Sequence, residues 1–399
     1  MEYPLVKALI NLDAIRKNIR NLKRLINKSC KFMAVVKADA YGHGAVKVAQ
    51  KALQSGADLL GVARIEEAYE LRKAGIGAPI LVFGYIHPSN AAMMADLDFT
   101  ASLYDYAMAE ALSREAGFLN KPVKVHLKID TGMGRVGMII KKPCKDMPTR
   151  GPAGNAAQSQ VVKEIEKISR LPGIDIKGIY THFASADSKD RSYTNQQIDM
   201  FTSLLDDLKK AGLEFETCHA ANSAAIIEFP GSHFDMVRAG ISIYGLYPSF
   251  EVDKSKVKLF PAMTLKSIVT GVRKVPRGFC VSYGMTFETQ KETCLASVPV
   301  GYADGFSRHF SSNAHMLVKG CKAPVAGRVC MDQTMIDVGE IKGVIAGDEV
   351  VLIGSQGKEI ISADELAIKA GTINYEIVSA LTSRVKRIYS DEESFSGSG

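Results

Sequence analysis

Short β-branched and apolar runs alternate with longer amphipathic stretches through roughly the first 245 residues. The runs at 31–36, 59–63, 79–84, 99–103, 123–129, 177–183, 216–221 and 236–244 predict eight strands. Between them, stretches such as 12–27, 65–73 and 198–210 carry apolar residues at helical spacing. Alternation of this kind builds a parallel sheet, and eight units suggest a (β/α)8 barrel of the TIM type. A doubly wound open sheet follows the same alternation and stays open as an alternative on periodicity alone.

The segment 141–157, KKPCKDMPTRGPAGNAA, is rich in Pro, Gly and Lys and predicts a surface loop. After about residue 250 the texture changes to short strands punctuated by Gly and Pro, at 264–275, 293–300, 316–318 and 349–353. A helix at 362–370 and a final strand near 383–389 follow. The expected architecture is a barrel domain over 1–255, a mostly β domain over 256–389 and a disordered tail over 390–399.

Composition narrows the class of function. Of 399 residues, 46% are hydrophobic and 23% charged, which excludes wholesale disorder. The net charge of +7 is spread thinly, without the concentrated basic face that nucleic acid requires. No run approaches the ~18 apolar residues of a membrane span, and the N-terminus meets charge too early for a secretory leader. Seven cysteines form no C-x-x-C pair, so reduced thiols in a cytoplasmic protein are expected, with no metal site.

The most informative stretch is VVKADAYGHG at 35–44, where Lys37 directly follows a buried strand. In a parallel barrel such a residue faces the active-site mouth. A desolvated lysine there has a lowered pKa and can form a Schiff base with an aldehyde. Taken alone, an exposed lysine at a strand end is the commoner reading. Tyr41, Gly42 and Gly44 read as loop residues that let backbone approach a ligand. The eighth predicted strand carries Arg238, with Gly240 and Ile241 shortly after it, while Asn222 and Ser223 end the seventh. Backbone N–H groups and hydroxyls after strands seven and eight are where barrels bind phosphate.

VVKADAYGHG resembles the cofactor-lysine motif of the alanine racemases, which are fold-type III pyridoxal-phosphate enzymes. LKIDTGMGRVG, YTHFASAD, ANSAA, VRAGISIYGLYPS, VSYGMTF, VGYADGFSR, GRVCMDQTMIDV and TINYE resemble the same family in order, from about residue 11 to 389. The resemblance implies a barrel followed by a β domain, with pyridoxal 5'-phosphate held at the barrel mouth. It implies Lys37 as Schiff-base lysine and first catalytic base, and Tyr283 as the base for the opposite face. It assigns Tyr41, Ser223, Gly240, Ile241 and Tyr375 to the cofactor phosphate, joined by Asn222 from its position. Arg238 matches the arginine on the pyridine nitrogen, and His182 the histidine that supports it. Arg135 and Met331 match residues for the substrate carboxylate, and Tyr302 one near the substrate. Lys128 matches a lysine often carbamylated in the family.

The activity so implied is interconversion of L- and D-alanine, supplying peptidoglycan synthesis from a homodimer whose active sites are shared between subunits. A broader amino-acid or serine racemase is the main alternative on the same scaffold. A fold-type III decarboxylase would usually place an acid at the ring nitrogen instead of an arginine. A non-catalytic cofactor carrier would lack the β domain.

Overall fold

The computed structural model describes residues 4–119, 121–140 and 152–391. Eight parallel strands close into a barrel: β1 (Lys31–Val35), β2 (Leu59–Val62), β3 (Ile80–Val82), β4 (Phe99–Leu103), β5 (Val123–Asp130), β6 (Ile174–Tyr180), β7 (Thr217–His219) and β8 (Met236–Ala239). Each pairs with its neighbour in sequence, and closure comes from β8 against β1, with Met236 opposite Lys31 and Ala239 opposite Ala34. The open sheet left possible by periodicity is thereby excluded.

The strands are mostly buried, most completely toward their C-terminal ends, because helices cover the barrel outside while side chains fill it inside. Phe99–Leu103 is buried at every position. In β5, His126, Lys128 and Asp130 alternate with Val125, Leu127 and Ile129, and all six are buried. Such alternation puts one set inward and the other against the helices.

Several boundaries differ from expectation. The helix expected at 198–210 starts earlier, at Ser192, and continues to Lys210. The predicted loop 141–157 lies partly outside the described residues. Its last part is already helical, because Pro152 opens the helix Pro152–Ser169, a position where its fixed φ and missing N–H cost nothing. The eighth strand ends at Ala239, and the rest of the apolar run forms a 3-10 turn, Ile241–Tyr244. The final strand is Lys386–Ser390. Most of the tail expected to be disordered lies outside the described residues.

The second unit is mostly β. Strand Lys7–Asn11 runs parallel to Lys386–Ser390 and antiparallel to Met263–Ile268, which pairs onward with Glu349–Gln356. A smaller sheet joins Gly271–Val275, Thr293–Val298 and Thr334–Asp337. Val275, Val281, Leu295 and Ala326 form a core cluster with Phe279, Phe287 and Met335 packed on it. The chain divides in an interleaved way: the β unit takes the residues up to Ile15 and Asp39–Gly44 as well as those from Pro261 on. The contiguous division expected near residue 255 misses this, because the partners of strand Lys7–Asn11 lie more than 250 residues away. Among the described residues no helix is long and apolar enough to cross a membrane.

Candidate active site

Lys37 follows the C-terminal end of β1 and is half-buried. Burial lowers its pKa, the Arg135 cation lowers it further, and Glu67 opposes both. The backbone beyond it is unusual. Ala38, Asp39, Ala40 and Tyr41 have φ of 52°, 52°, 53° and 51°, a short left-handed helical turn built without glycine. Such a conformation costs roughly 1–2 kcal/mol per residue, so neighbouring contacts must hold it.

Those contacts are present. One carboxylate oxygen of Glu67 accepts the Ala38 N–H at 2.6 Å, and the other accepts Ala63 and Arg64 N–H at 2.7 and 3.0 Å. The Gly44 N–H donates to the Asp39 carbonyl and the His43 N–H to that of Ala40. The His43 ring Nδ1 sits 2.9 Å from the Tyr41 carbonyl and 3.2 Å from that of Ala40; two acceptors require the proton on Nδ1.

Gly42 and Gly44 differ from expectation. A Cβ on Gly42 would meet the Val378 carbonyl oxygen at 2.1 Å, and one on Gly44 the Tyr389 hydroxyl at 1.8 Å. Their lost side chains make room for the chain itself. Tyr41 is buried, which raises its pKa, and its ring lies 6.1 Å from that of Tyr375.

The inward-facing residues of the barrel form a second cluster. Arg238 is 4% exposed and sits within β8. It donates to His219 Nδ1 at 2.7 Å, to His182 Nδ1 at 3.1 Å and to the Thr181 and Ala220 carbonyls. A guanidinium has donors only, so both histidines accept through Nδ1 and carry their proton on Nε2. His219 Nε2–H then donates to His126 Nδ1 at 2.9 Å. Burial holds all three imidazoles neutral; His126 falls to about 3, and Lys31 and Arg238 add to that shift.

The Tyr180 ring stacks on His219 at 4.7 Å. Lys128 Nζ lies 4.6 Å and the Arg238 guanidinium carbon 5.3 Å from the Tyr180 ring centre. Burial lowers the Lys128 amine to about 7, and the Arg238 and Arg135 charges add to this. Asp130 accepts the Gly132, Gly134 and Arg135 N–H groups, which shapes the loop presenting the exposed Arg135.

Beyond β7, Asn222 Oδ1 caps the helix Ser223–Glu228 by accepting the Ala225 N–H. Ser223 Oγ accepts the Gly240 N–H at 2.9 Å and the Ser242 N–H at 3.4 Å. The barrel thus gathers Lys37, Lys128, Arg135, His182, Asn222, Ser223, Arg238, Gly240 and Ile241 after or near its strand ends. Tyr41, Tyr283, Tyr302, Met331 and Tyr375 belong to the β unit. There Tyr283, Met331 and Tyr302 are 72%, 52% and 43% exposed.

Sequence reasoning missed Glu67, His126, Tyr180 and His219. For His126 a signal existed: V-H-L-K-I-D places a polar residue at every second position of a buried strand. Glu67 carried none, since Glu in a first helical turn is ordinary.

Comparison with known proteins agrees with this geometry. Residues 10–148 and 152–248 match the family model described as alanine racemase, N-terminal domain, and residues 262–389 match alanine racemase, C-terminal domain. The alanine racemase of Desulfosudis oleivorans is 50% identical over 96% of both chains. That of Methanococcus maripaludis is 47% identical over 96% of this chain and 98% of its own. Among solved structures, the alanine racemase of Clostridium difficile superposes with a TM-score of 0.88 at 38% identity, covering 98% of this chain and 96% of that one. The Bacillus anthracis enzyme with bound L-Ala-P gives 0.89 at 37% identity, over 97% and 95% of the two chains. Both family models match in order and identity is sustained along nearly the whole length, so this chain belongs to the alanine racemase family of pyridoxal-phosphate-dependent isomerases.

Proposed function

We propose that the chain interconverts L- and D-alanine with pyridoxal 5'-phosphate held at the barrel mouth, Lys37 serving one face of the substrate Cα and Tyr283 the other. The observation that carries this reading is the desolvated Lys37 amine at the end of β1, in the same barrel as the donor-only Arg238 cluster.

The residues present fit the cofactor. Ser223 Oγ accepts the Gly240 and Ser242 N–H groups, which leaves its own O–H aimed outward as a donor suited to a phosphate after β7 and β8. The buried Ser242 hydroxyl, on the same turn, has no hydrogen-bond partner among the described residues, a group a phosphate oxygen would satisfy. Tyr41 and Tyr375 are assigned to the same phosphate. The cofactor, when bound, withdraws electrons from Cα and so acidifies its hydrogen.

The chain's own groups do the rest. Arg238 offers N–H and no acceptor, so a pyridine nitrogen facing it stays unprotonated, and His182 and His219 fix its orientation. Arg135 and the Met331 backbone take the substrate carboxylate, and Tyr302 limits side-chain size. The Lys37 amine, lowered by burial, takes the Cα hydrogen as a proton from one face. Tyr283 returns one to the other. Lys128, with a pKa near neutrality, has enough free amine to add to CO2 and lose a proton, giving a carbamate beside Arg135.

Lys37 and Tyr283 belong to different units, and Tyr283 is exposed within its own chain. We therefore propose a homodimer in which each Tyr283 completes the partner's site. The reaction supplies D-alanine for peptidoglycan in the cytoplasm. The Bacillus anthracis relative, solved with L-Ala-P, supports an alanine-sized substrate. The test is a panel of L-amino acids with chiral analysis of the products. Rapid conversion of alanine, slow conversion of serine and none of lysine or arginine is expected. Comparable kcat/KM for lysine would overturn the substrate assignment.

A further inference from the structure

Tyr283 is 72% exposed, so packing within its own unit does little to fix its side chain. Its backbone is fixed instead. It stands at the tip of a hairpin between Cys280–Val281 and Phe287–Glu288, whose base is anchored by the 1%-exposed Val281 in the core cluster. Three of the four residues 282–285 have positive φ: Ser282 at 66°, Gly284 at 71° and Met285 at 49°. Gly284 adopts this freely. Ser282, with ψ of −175°, lies in a region populated almost only by glycine.

One feature of Ser282 compensates for this strain. Its hydroxyl donates to the Arg328 carbonyl at 2.6 Å, and the Cys330 sulfur lies 3.4 Å from Ser282 Oγ. The Ser282 carbonyl accepts the Met285 N–H, which closes the turn over Tyr283. Segment 327–328 can approach because residue 327 is glycine: a Cβ there would meet the Val281 carbonyl oxygen at 2.7 Å and Ser282 Cβ at 3.0 Å. A glycine at 282 would satisfy the dihedral angles but lose the tether. The serine keeps the tether at the expense of backbone comfort.

We propose that Ser282 is a positioning residue for racemisation, its hydroxyl tether to the Arg328 carbonyl holding the strained turn that aims Tyr283. The proposal rests on the assignment of Tyr283 as the base for one face of Cα. Since Lys37 serves the other face, loss of the tether should affect the two enantiomers unequally, whereas general loosening would affect both alike.

The experiment follows exchange of the Cα hydrogen for deuterium in D2O by NMR, as initial rates from pure L-alanine and pure D-alanine, with the cofactor-loaded enzyme. Tyr283→Phe identifies the Tyr283-dependent enantiomer as the one whose exchange it abolishes. Ser282→Ala should slow exchange of that enantiomer by roughly ten- to a hundredfold, as expected for a misaimed group. Exchange of the other should stay within about twofold of wild type. Ser282→Gly, which relieves the dihedral strain and so favours folding, should give the same asymmetry. Equal slowing of both enantiomers, or wild-type rates in both serine variants, overturns the role of Ser282. If Tyr283→Phe slows neither enantiomer selectively, the assignment of Tyr283 itself falls, and this proposal with it.

Discussion

Lys37 and Tyr283 are presented by two regions that share a backbone device and differ in almost everything else. Both stand beside non-glycine residues at positive φ: Ala38 to Tyr41 after the lysine, Ser282 and Met285 around the tyrosine. Around Lys37 the strained turn is embedded, with Ala40 and Tyr41 buried and Glu67 receiving three N–H groups. Around Tyr283 the turn is exposed and is held by the Ser282 hydroxyl tether and the Met285 N–H bond to the Ser282 carbonyl. The lysine is therefore tuned by its own surroundings, which desolvate it and lower its pKa. For the tyrosine, the chain supplies direction through the backbone and leaves the side chain uncovered. That division is what the proposed completion of a partner's site would require.

The sharpest test of this contrast mixes Lys37→Ala with Tyr283→Ala, each expected to be inactive, under conditions of subunit exchange. Random pairing makes about half the dimers hybrids, each with one intact shared site, so activity should return to roughly a quarter of wild type. Demonstrated exchange with no recovery would place both bases in one chain. In the same preparation, borohydride should fix the cofactor to Lys37 in the Tyr283 variant. Label on another lysine would remove Lys37 from its role.

The second test separates embedded from exposed strain. Gly42→Ala drives a methyl group against the Val378 carbonyl in a left-handed position, so a loss of about 3 kcal/mol or more is expected by chemical denaturation. Gly284→Ala meets only the flexible Arg328 guanidinium at 3.3 Å, and should cost about 1–2 kcal/mol, the left-handed penalty alone. Equal losses would show the two turns to be equally constrained.

Third, Glu67→Gln keeps the size of the carboxylate but turns one acceptor into a donor facing N–H groups. Loosening of the Lys37 turn should lower kcat about tenfold and leave KM for alanine nearly unchanged. An unchanged kcat would show that the turn holds itself without Glu67.

The last test is a pH dependence and concerns Lys128. Its folded-state pKa of about 7 lies below the value of a free lysine, so the unfolded chain binds more protons at pH between the two. Stability in CO2-free buffer should therefore rise with pH from about 7 to 10, by at most ~1.4 kcal/mol per unit for this group. Thermal unfolding of Lys128→Met should lack that part of the slope. Bicarbonate should stabilise wild type alone; a variant that responds equally would remove the carbamate.

Much of the molecule was legible as pattern. Eight largely apolar runs separated by helical stretches specify parallel strands, since a strand covered on both faces is apolar except where an inward-facing position carries chemistry, as at His126, Lys128 and Arg238. The motif at 35–44 placed Lys37 at a strand end, and ANSAA placed Ser223 beside the Gly240 turn. Other features gave no local signal. The left-handed turn at 38–41 has no glycine to announce it, because its contacts come from Glu67, His43 and neighbours that only folding brings close. Strand Lys7–Asn11 belongs with the C-terminal sheet through partners beyond residue 260, which no short-range periodicity encodes.

The amino-acid sequence by itself determined which side chains point inward, since alternation along a strand is a property of the backbone. Through its resemblance to a known family it also nominated Lys37 and Tyr283 as the reacting groups. Only the tertiary structure decided their state. A lysine amine falls below its usual range when a barrel removes its water, and histidines become fixed acceptors when a buried arginine faces them. A serine enters a glycine conformation when a carbonyl 46 residues away accepts its hydroxyl. Each of these depends on groups distant in the chain, because solvation and hydrogen-bond partners are set by what folding brings near and not by what lies next in sequence.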